Sequence, residues 1–432
     1  MATGDSTPVQ TDEQAGPSST AGVAQFWPAP FRQKQFRRVL TAGLISYNGR
    51  FMDLTLIAWL VVESTDSPLA VTMVTTLRFL PFLLIGPFIG VALDRLPHLR
   101  VLRTAQFGSL LMALIMAATV SVVGPDLILL YVYSFIIGTT WTLEMSTRRA
   151  FIRRSLGSAS VTSGLALEFL ALYLGSMIGS NIAGSLITRI SDPAMFLLIA
   201  GIYGTSTLLM FTVRDQTASD SSAQIEPPLS QLRDGIRIAM RSRVLLMALI
   251  MVGVANMFGF GFEALTPLFA VDVLDAGAVG LGLLISATGI GAIIGTISIA
   301  TIAQNTRRQG LLFLIATAAL HISSIIFATS PNFVFAFISL IGIGIVVNLF
   351  GVMSGALVIV SAPSKAYGRI IGLHIAMIGM FPIGSLMLGL LANEYGPRAA
   401  LMTMASIGLA ITLVVALSVP QLRARTAPSD DL

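Results

Sequence analysis

A chain of 432 residues that is 55% hydrophobic and only 11% charged does not have the composition of a soluble globular domain. Cysteine is absent, which excludes a disulfide framework, a thiolate metal site and a cysteine nucleophile. His98, His321 and His374 are too scattered to form a metal cluster, so no metal and no cofactor are expected.

Residues 1–25, within a cytoplasmic tail expected over 1–35, are rich in Thr, Ser, Gln, Gly and Ala and lack the apolar core of a signal peptide. They read as a disordered tail. Apolar runs occupy 39–62, 69–93, 101–123, 127–143, 161–187 and 195–213. A polar stretch fills 214–243, and six more runs lie at 244–271, 280–302, 310–328, 333–360, 370–391 and 399–419. A span needs about 20 apolar residues to cross the hydrocarbon core. Backbone groups in a bilayer must bond internally, so each run predicts a helix. The runs are too long and too continuously apolar for barrel strands. The fold class is therefore an all-α polytopic membrane protein with twelve transmembrane helices.

Lys and Arg set the orientation. With the N-terminus inside, only Arg189 and Arg398 fall in outward loops, and only Arg50 and Arg78 within spans. Both termini, including a short tail at 421–432, are thus expected in the cytoplasm. The net charge of +5 is explained by anionic lipid headgroups, without nucleic acid. Within the central stretch, residues 215–228 read as a linker rich in Ser, Asp, Gln and Pro. Beyond it, Leu229, Leu232, Ile236 and Met240 share one helical face, and Arg233, Arg237 and Arg241 another. That pattern predicts an amphipathic helix on the inner membrane surface, tethering the first six runs to the last six.

The turn between the second and third runs reads Gly90-Val91-Ala92-Leu93-Asp94-Arg95-Leu96-Pro97-His98-Leu99-Arg100. It resembles the corresponding loop of the major facilitator superfamily, with Pro97 and His98 where that family usually carries Gly-Arg-Arg. The resemblance implies a conformational latch formed by Gly90, Asp94, Arg95 and Arg100. It also implies two pseudo-symmetric six-helix bundles, here 36–213 and 244–420, joined through 214–243. Residues 60–70, 146–154, 368–372 and 389–400 resemble the enterobactin-exporter and macrolide-exporter branch. In the fifth run Gly175, Gly179 and Gly184 resemble a glycine motif of drug/proton antiporters, with Ser180 and Ala183 departing from it. The fourth run lacks the buried arginine that many drug/proton antiporters carry, a second departure from them.

Charges inside a bilayer are costly and so are paired or functional. The candidates are Arg50, Asp53, Arg78, Glu168 and Glu263, accompanied by Asn48, Asn256 and Asn348. Asp53 lies nine residues before the outer end of its run and Arg78 nine after the outer end of the next, so equal depth predicts a pair. Arg50 shares a face with Asp53, and Glu168 is expected at a depth to partner it. One reading is a static network that fixes packing; the other is a site where a carboxylate exchanges arginine for substrate and so loads and releases a proton. Glu263, in Gly259-Phe260-Gly261-Phe262-Glu263, is the only acid deep in a second-half run. It is either a separate coupling group or a bonding partner for backbone opened by Gly261 and Pro267.

No phosphate-cradling P-loop is present, so ATP is not the direct driver. The resemblance implies a secondary active transporter, not an enzyme, working by alternating access. Its expected action is proton-coupled export of an amphipathic drug, siderophore or secondary metabolite. Import or facilitated passage of a metabolite, or lipid or lysolipid transport, is the alternative on the same fold. The expected partners are the small-molecule substrate, protons and membrane lipid. The expected setting is a monomer in a bacterial inner membrane.

Overall fold

The computed structural model describes residues 30–86, 88–89, 96–156, 158–214, 228–302, 308–362 and 366–423. Most of the expected tails and of the linker, and Gly90, Asp94 and Arg95 of the latch, lie outside them. No strand occurs among the described residues.

The first helices are α1 (Lys34–Ser64), α2 (Pro68–Leu84), α3 (His98–Val123), α4 (Leu127–Ser155), α5 (Ser158–Leu186) and α6 (Asp192–Phe211). Next is a short α7 (Pro228–Arg241). Then come α8 (Arg243–Val273), α9 (Gly277–Ile302), α10 (Gln309–Ala328), α11 (Phe333–Ser361), α12 (Tyr367–Ile378) and α13 (Phe381–Ser418). Polar caps set several boundaries. The Ser67 side chain accepts from the Ala70 amide at 3.4 Å, with Pro68 at the first helical position of α2. Asp126 accepts from the amides of Ile128 and Leu129 at 2.9 and 3.2 Å and starts α4. Ser242 accepts from the Leu245 amide at 3.3 Å, which separates α8 from α7.

Two long helices are interrupted. Gly396, at φ 80° and ψ 160°, breaks α13 in a conformation that favours glycine, and Pro397 restarts the helix without needing an amide. In α8 Pro267 has no amide to donate, and π turns at Ala255–Gly259 and Phe269–Val273 flank the segment that holds it.

Among the described residues nine helices are long and apolar enough to cross a membrane. α1 has the length, at 31 residues, but carries Asn48, Arg50 and Asp53 near its middle. The sequence ends the fourth span at residue 143, whereas α4 continues to Ser155. The continuation is possible because Glu144, Thr147 and Arg148 turn inward and are buried.

α1 packs against α5 and α6, α3 against α4 and α6, and α2 against α4. α11 packs against α9 and α10, and α13 against α10. The two sets meet along α5–α9 and α2–α13. These seams are tight because small residues face each other: a Cβ on Gly184 would strike the Ala278 carbonyl, and one on Gly389 the Thr72 hydroxyl. The amphipathic helix forms as α7. Its Gly235 lies against Leu373 and the Arg369 backbone on α12, while Ile236 and Met240 face outward.

Candidate functional site

α1 brings Arg50 and Asp53 to the centre of the first six helices, and each finds a charge there. Arg78 on α2 reaches Asp53 at 2.8 Å, with both side chains fully buried. The pair expected from equal depth is therefore present, with the Tyr133 hydroxyl beside it. Its alignment is poor for hydrogen bonding: both Asp53 oxygens and all three Arg78 nitrogens lack a well-oriented partner.

Arg50 does not pair with Glu168, contrary to the expectation from sequence. Its partner is Glu144 on α4, which also takes Arg148 one turn further along the same helix. Glu144 accepts in addition from Ser46 at 2.8 Å and Gln106 at 3.1 Å. Gln106 also donates to Ser206 at 3.0 Å. Glu168 instead lies 3.2 Å from Arg148 and accepts from the Tyr47 hydroxyl. Arg148 donates to the Val39 carbonyl at 2.8 Å. The fourth helix thus does carry a buried arginine. The reading that it lacked one came from ending the span too early. Glu144 and Arg148 were missed for the same reason, although their four-residue spacing is that of neighbours on one helix face. Every one of arginines 50, 78 and 148 and carboxylates 53, 144 and 168 is paired, in two groups: Asp53 with Arg78, and Arg50, Glu144, Arg148 and Glu168.

The asparagines are engaged through their amide N–H groups, while the side-chain oxygens of Asn48 and Asn348 are buried without a hydrogen-bond partner among the described residues. Asn48 donates to the Leu44 carbonyl at 2.8 Å, Asn256 to Val252 at 2.9 Å and Asn348 to the Thr296 hydroxyl at 2.9 Å. Arg100 is exposed in the first turn of α3.

Glu263 differs from all of these. It is exposed, on a side of α8 turned toward α5. It makes no ion pair or side-chain hydrogen bond to any described residue, and so does not bond the backbone near Pro267. The Tyr173 side chain of α5 lies across from it, within electrostatic reach. Between Glu263 and the paired network runs an aromatic band. Trp141, 5.5 Å from the Arg50 guanidinium, meets Phe79 at 5.2 Å, and Phe79 meets Phe381 at 4.9 Å. Phe381 reaches Phe260 at 6.4 Å, three residues from Glu263. The band links α4, α2, α13 and α8, and so crosses between the two sets of helices. Trp141 and Phe381 are buried and Phe79 and Phe260 partly so, and the rings form an apolar seam whose partly open members could meet a flat or amphipathic molecule.

Such a helical body, with an apolar interior bearing a few polar groups, is that of a membrane transporter of the major facilitator superfamily. The chain belongs to the transmembrane secretion effector family, whose model matches residues 25–431. It is 24% identical over 397 residues to the multidrug efflux pump Tap of Mycolicibacterium fortuitum, covering 89% of this chain and 95% of that one. It is 20% identical over 376 residues to the staphyloferrin A transporter of Staphylococcus aureus, covering 87% and 94% respectively. In fold it resembles an inward-facing bacterial homolog of the human lysosomal transporter Spinster. There the TM-score is 0.66 at 12% identity, over 91% of this chain and 100% of that one. The nucleoside transporter NupG is similar at a TM-score of 0.68 and 12% identity, over 89% and 99%. The protein is thus an integral membrane transporter, not an enzyme.

Proposed function

We propose that this transporter exports an amphipathic small molecule (a drug, siderophore or secondary metabolite) by alternating access, driven by proton entry. Glu263 carries the reading. It is an acid about two-thirds of the way along α8, with no cation in contact among the described residues, turned toward α5 beside the aromatic band. A charge in such surroundings is costly, and a proton neutralises it. Proton loading from one side and release to the other would tie its charge to the conformation. One charge moving down 100 mV supplies about 2.3 kcal/mol, enough for roughly a fiftyfold solute gradient. The relation to Tap, an efflux pump, supports export.

In this reading the nine long apolar helices, α1, α2 and the break at Gly396 make twelve spans. They form bundles at 36–213 and 244–420, with 214–243 between them and both termini in the cytoplasm of a bacterial cell. The protein works as a monomer. Close contact at the Ser67 end supports an inward-open form: Ser67 donates to Asn393 at 3.3 Å, and Gly184 abuts Gly282. The paired charges hold the first bundle rigid, and Gly90, Asp94, Arg95 and Arg100 latch it at the cytoplasmic side.

Purified protein in liposomes with an internal pH dye tests this. A proton gradient is imposed and siderophores, macrolides, cationic dyes, sugars and lysolipids are added in turn. The expected result is proton movement triggered by an amphipathic class and lost in Glu263→Gln. Solute flux without proton movement would overturn the coupling and favour a facilitator.

A further inference from the structure

Arg149 is next to Arg148 on α4, but one residue turns a helix by about 100°, and the two guanidiniums part company. Arg148 is inside the paired network. Arg149 is half-buried, and no carboxylate among the described residues lies within ion-pair distance of it. Its guanidinium sits 4.8 Å above the ring of Phe169 on α5. Phe169 is 37% exposed and stacks on Tyr173 at 6.4 Å. Tyr173 lies beside Asn348 and within electrostatic reach of both Arg149 and Glu263. From the other set of helices, His374 on α12 faces Arg149, with its Nε2 unpartnered. Arg149 therefore looks into the space between the two sets, not outward. Glu168 is also in reach but is already held by Arg148 and Tyr47.

We infer that Arg149 is the binding group for an acidic substituent, a carboxylate, on the transported molecule, whose apolar body lies along Phe169 and Tyr173. The inference rests on the transporter reading and narrows its substrate class to anionic amphiphiles. A guanidinium stacked on a ring keeps its edge free, and that edge is a planar fork of N–H donors matching the two oxygens of a carboxylate. The stack fixes the fork in advance, so little side-chain freedom is lost on binding. A lipid phosphate entering from the membrane presents the same chemistry, and the lipid composition of the assay separates the two sources.

The test is equilibrium binding, with no gradient, to the full chain in phosphatidylcholine nanodiscs. The probes are dansylglycine and its uncharged amide, read by dansyl fluorescence. The carboxylate should bind about tenfold tighter than the amide, the size of one charge-assisted contact. Arg149→Gln should bring the two within twofold of each other by weakening only the carboxylate. Arg149→Lys should retain part of the preference, and unfolding temperatures should match the native protein's. Equal binding of the two probes, no binding of either, or a preference that survives Arg149→Gln would overturn the inference. So would loss of the preference when phosphatidylglycerol replaces part of the lipid, since that would make Arg149 a headgroup site. Proton flux is read separately. Flux with no carboxylate preference sinks only this inference, and a preference with no flux sinks only the proton coupling.

Discussion

The first six helices and the space between the two sets handle charge in opposite ways. In the first six, Arg50, Arg78 and Arg148 each meet a carboxylate, and burial is complete. Across the interior, Arg149 and Glu263 are left without an opposite charge in contact among the described residues. A paired buried charge contributes rigidity and little net stability, because its desolvation offsets its attraction. An unpaired one facing open space is available to something that enters. The contrast separates residues that hold the transporter's shape from residues that meet its cargo.

Removing a shared partner should do the most damage. Glu144→Ala strips Arg50 of its carboxylate and leaves Arg148 only Glu168. A loss of about 3–5 kcal/mol is expected from the uncompensated buried charge, visible as loss of the monodisperse peak in detergent. Asp53→Ala and Arg78→Met should each cost nearly as much alone. The double variant should cost less than the sum, with a coupling of about 1–3 kcal/mol in a thermal-unfolding cycle. Additive losses would break the claim that the two act as a pair. Gly138→Ala should be milder, about 1–3 kcal/mol, because its Cβ would strike the Arg78 carbonyl where α4 crosses α2. Glu263→Gln should be mildest of all for stability, within about 0.5 kcal/mol of the native protein, as it severs no contact. An unfolding temperature lowered as far as in Asp53→Ala would place Glu263 with the structural charges.

The paired half was partly legible in the sequence. Asp53 and Arg78 could be matched because both sit nine residues from the same membrane face, and helical rise turns that count into depth. Glu144 and Arg148 could not, because hydropathy marks where a helix stops being greasy, not where it stops being helical. α4 carries about three more turns than its apolar run, with polar residues turned inward. The sequence also counted Arg148 and Arg149 together as loop charges. Their separate fates depend on which face of α4 meets α1 and α5, and that is set by packing at residues such as Gly43 and Phe169. Glu263 stood out as the lone deep acid of the second half. That it would face open space rather than a neighbouring backbone required the structure.

The most direct measurement compares two modes of transport in one set of liposomes carrying Glu263→Gln. Exchange of labelled for unlabelled substrate needs binding and alternating access but no net proton movement. Uphill accumulation under a proton gradient needs the coupling group as well. The expected result is exchange at close to the native rate, with gradient-driven accumulation lost. Accumulation at the native rate in Glu263→Gln would contradict the assignment and move the proton to the paired network.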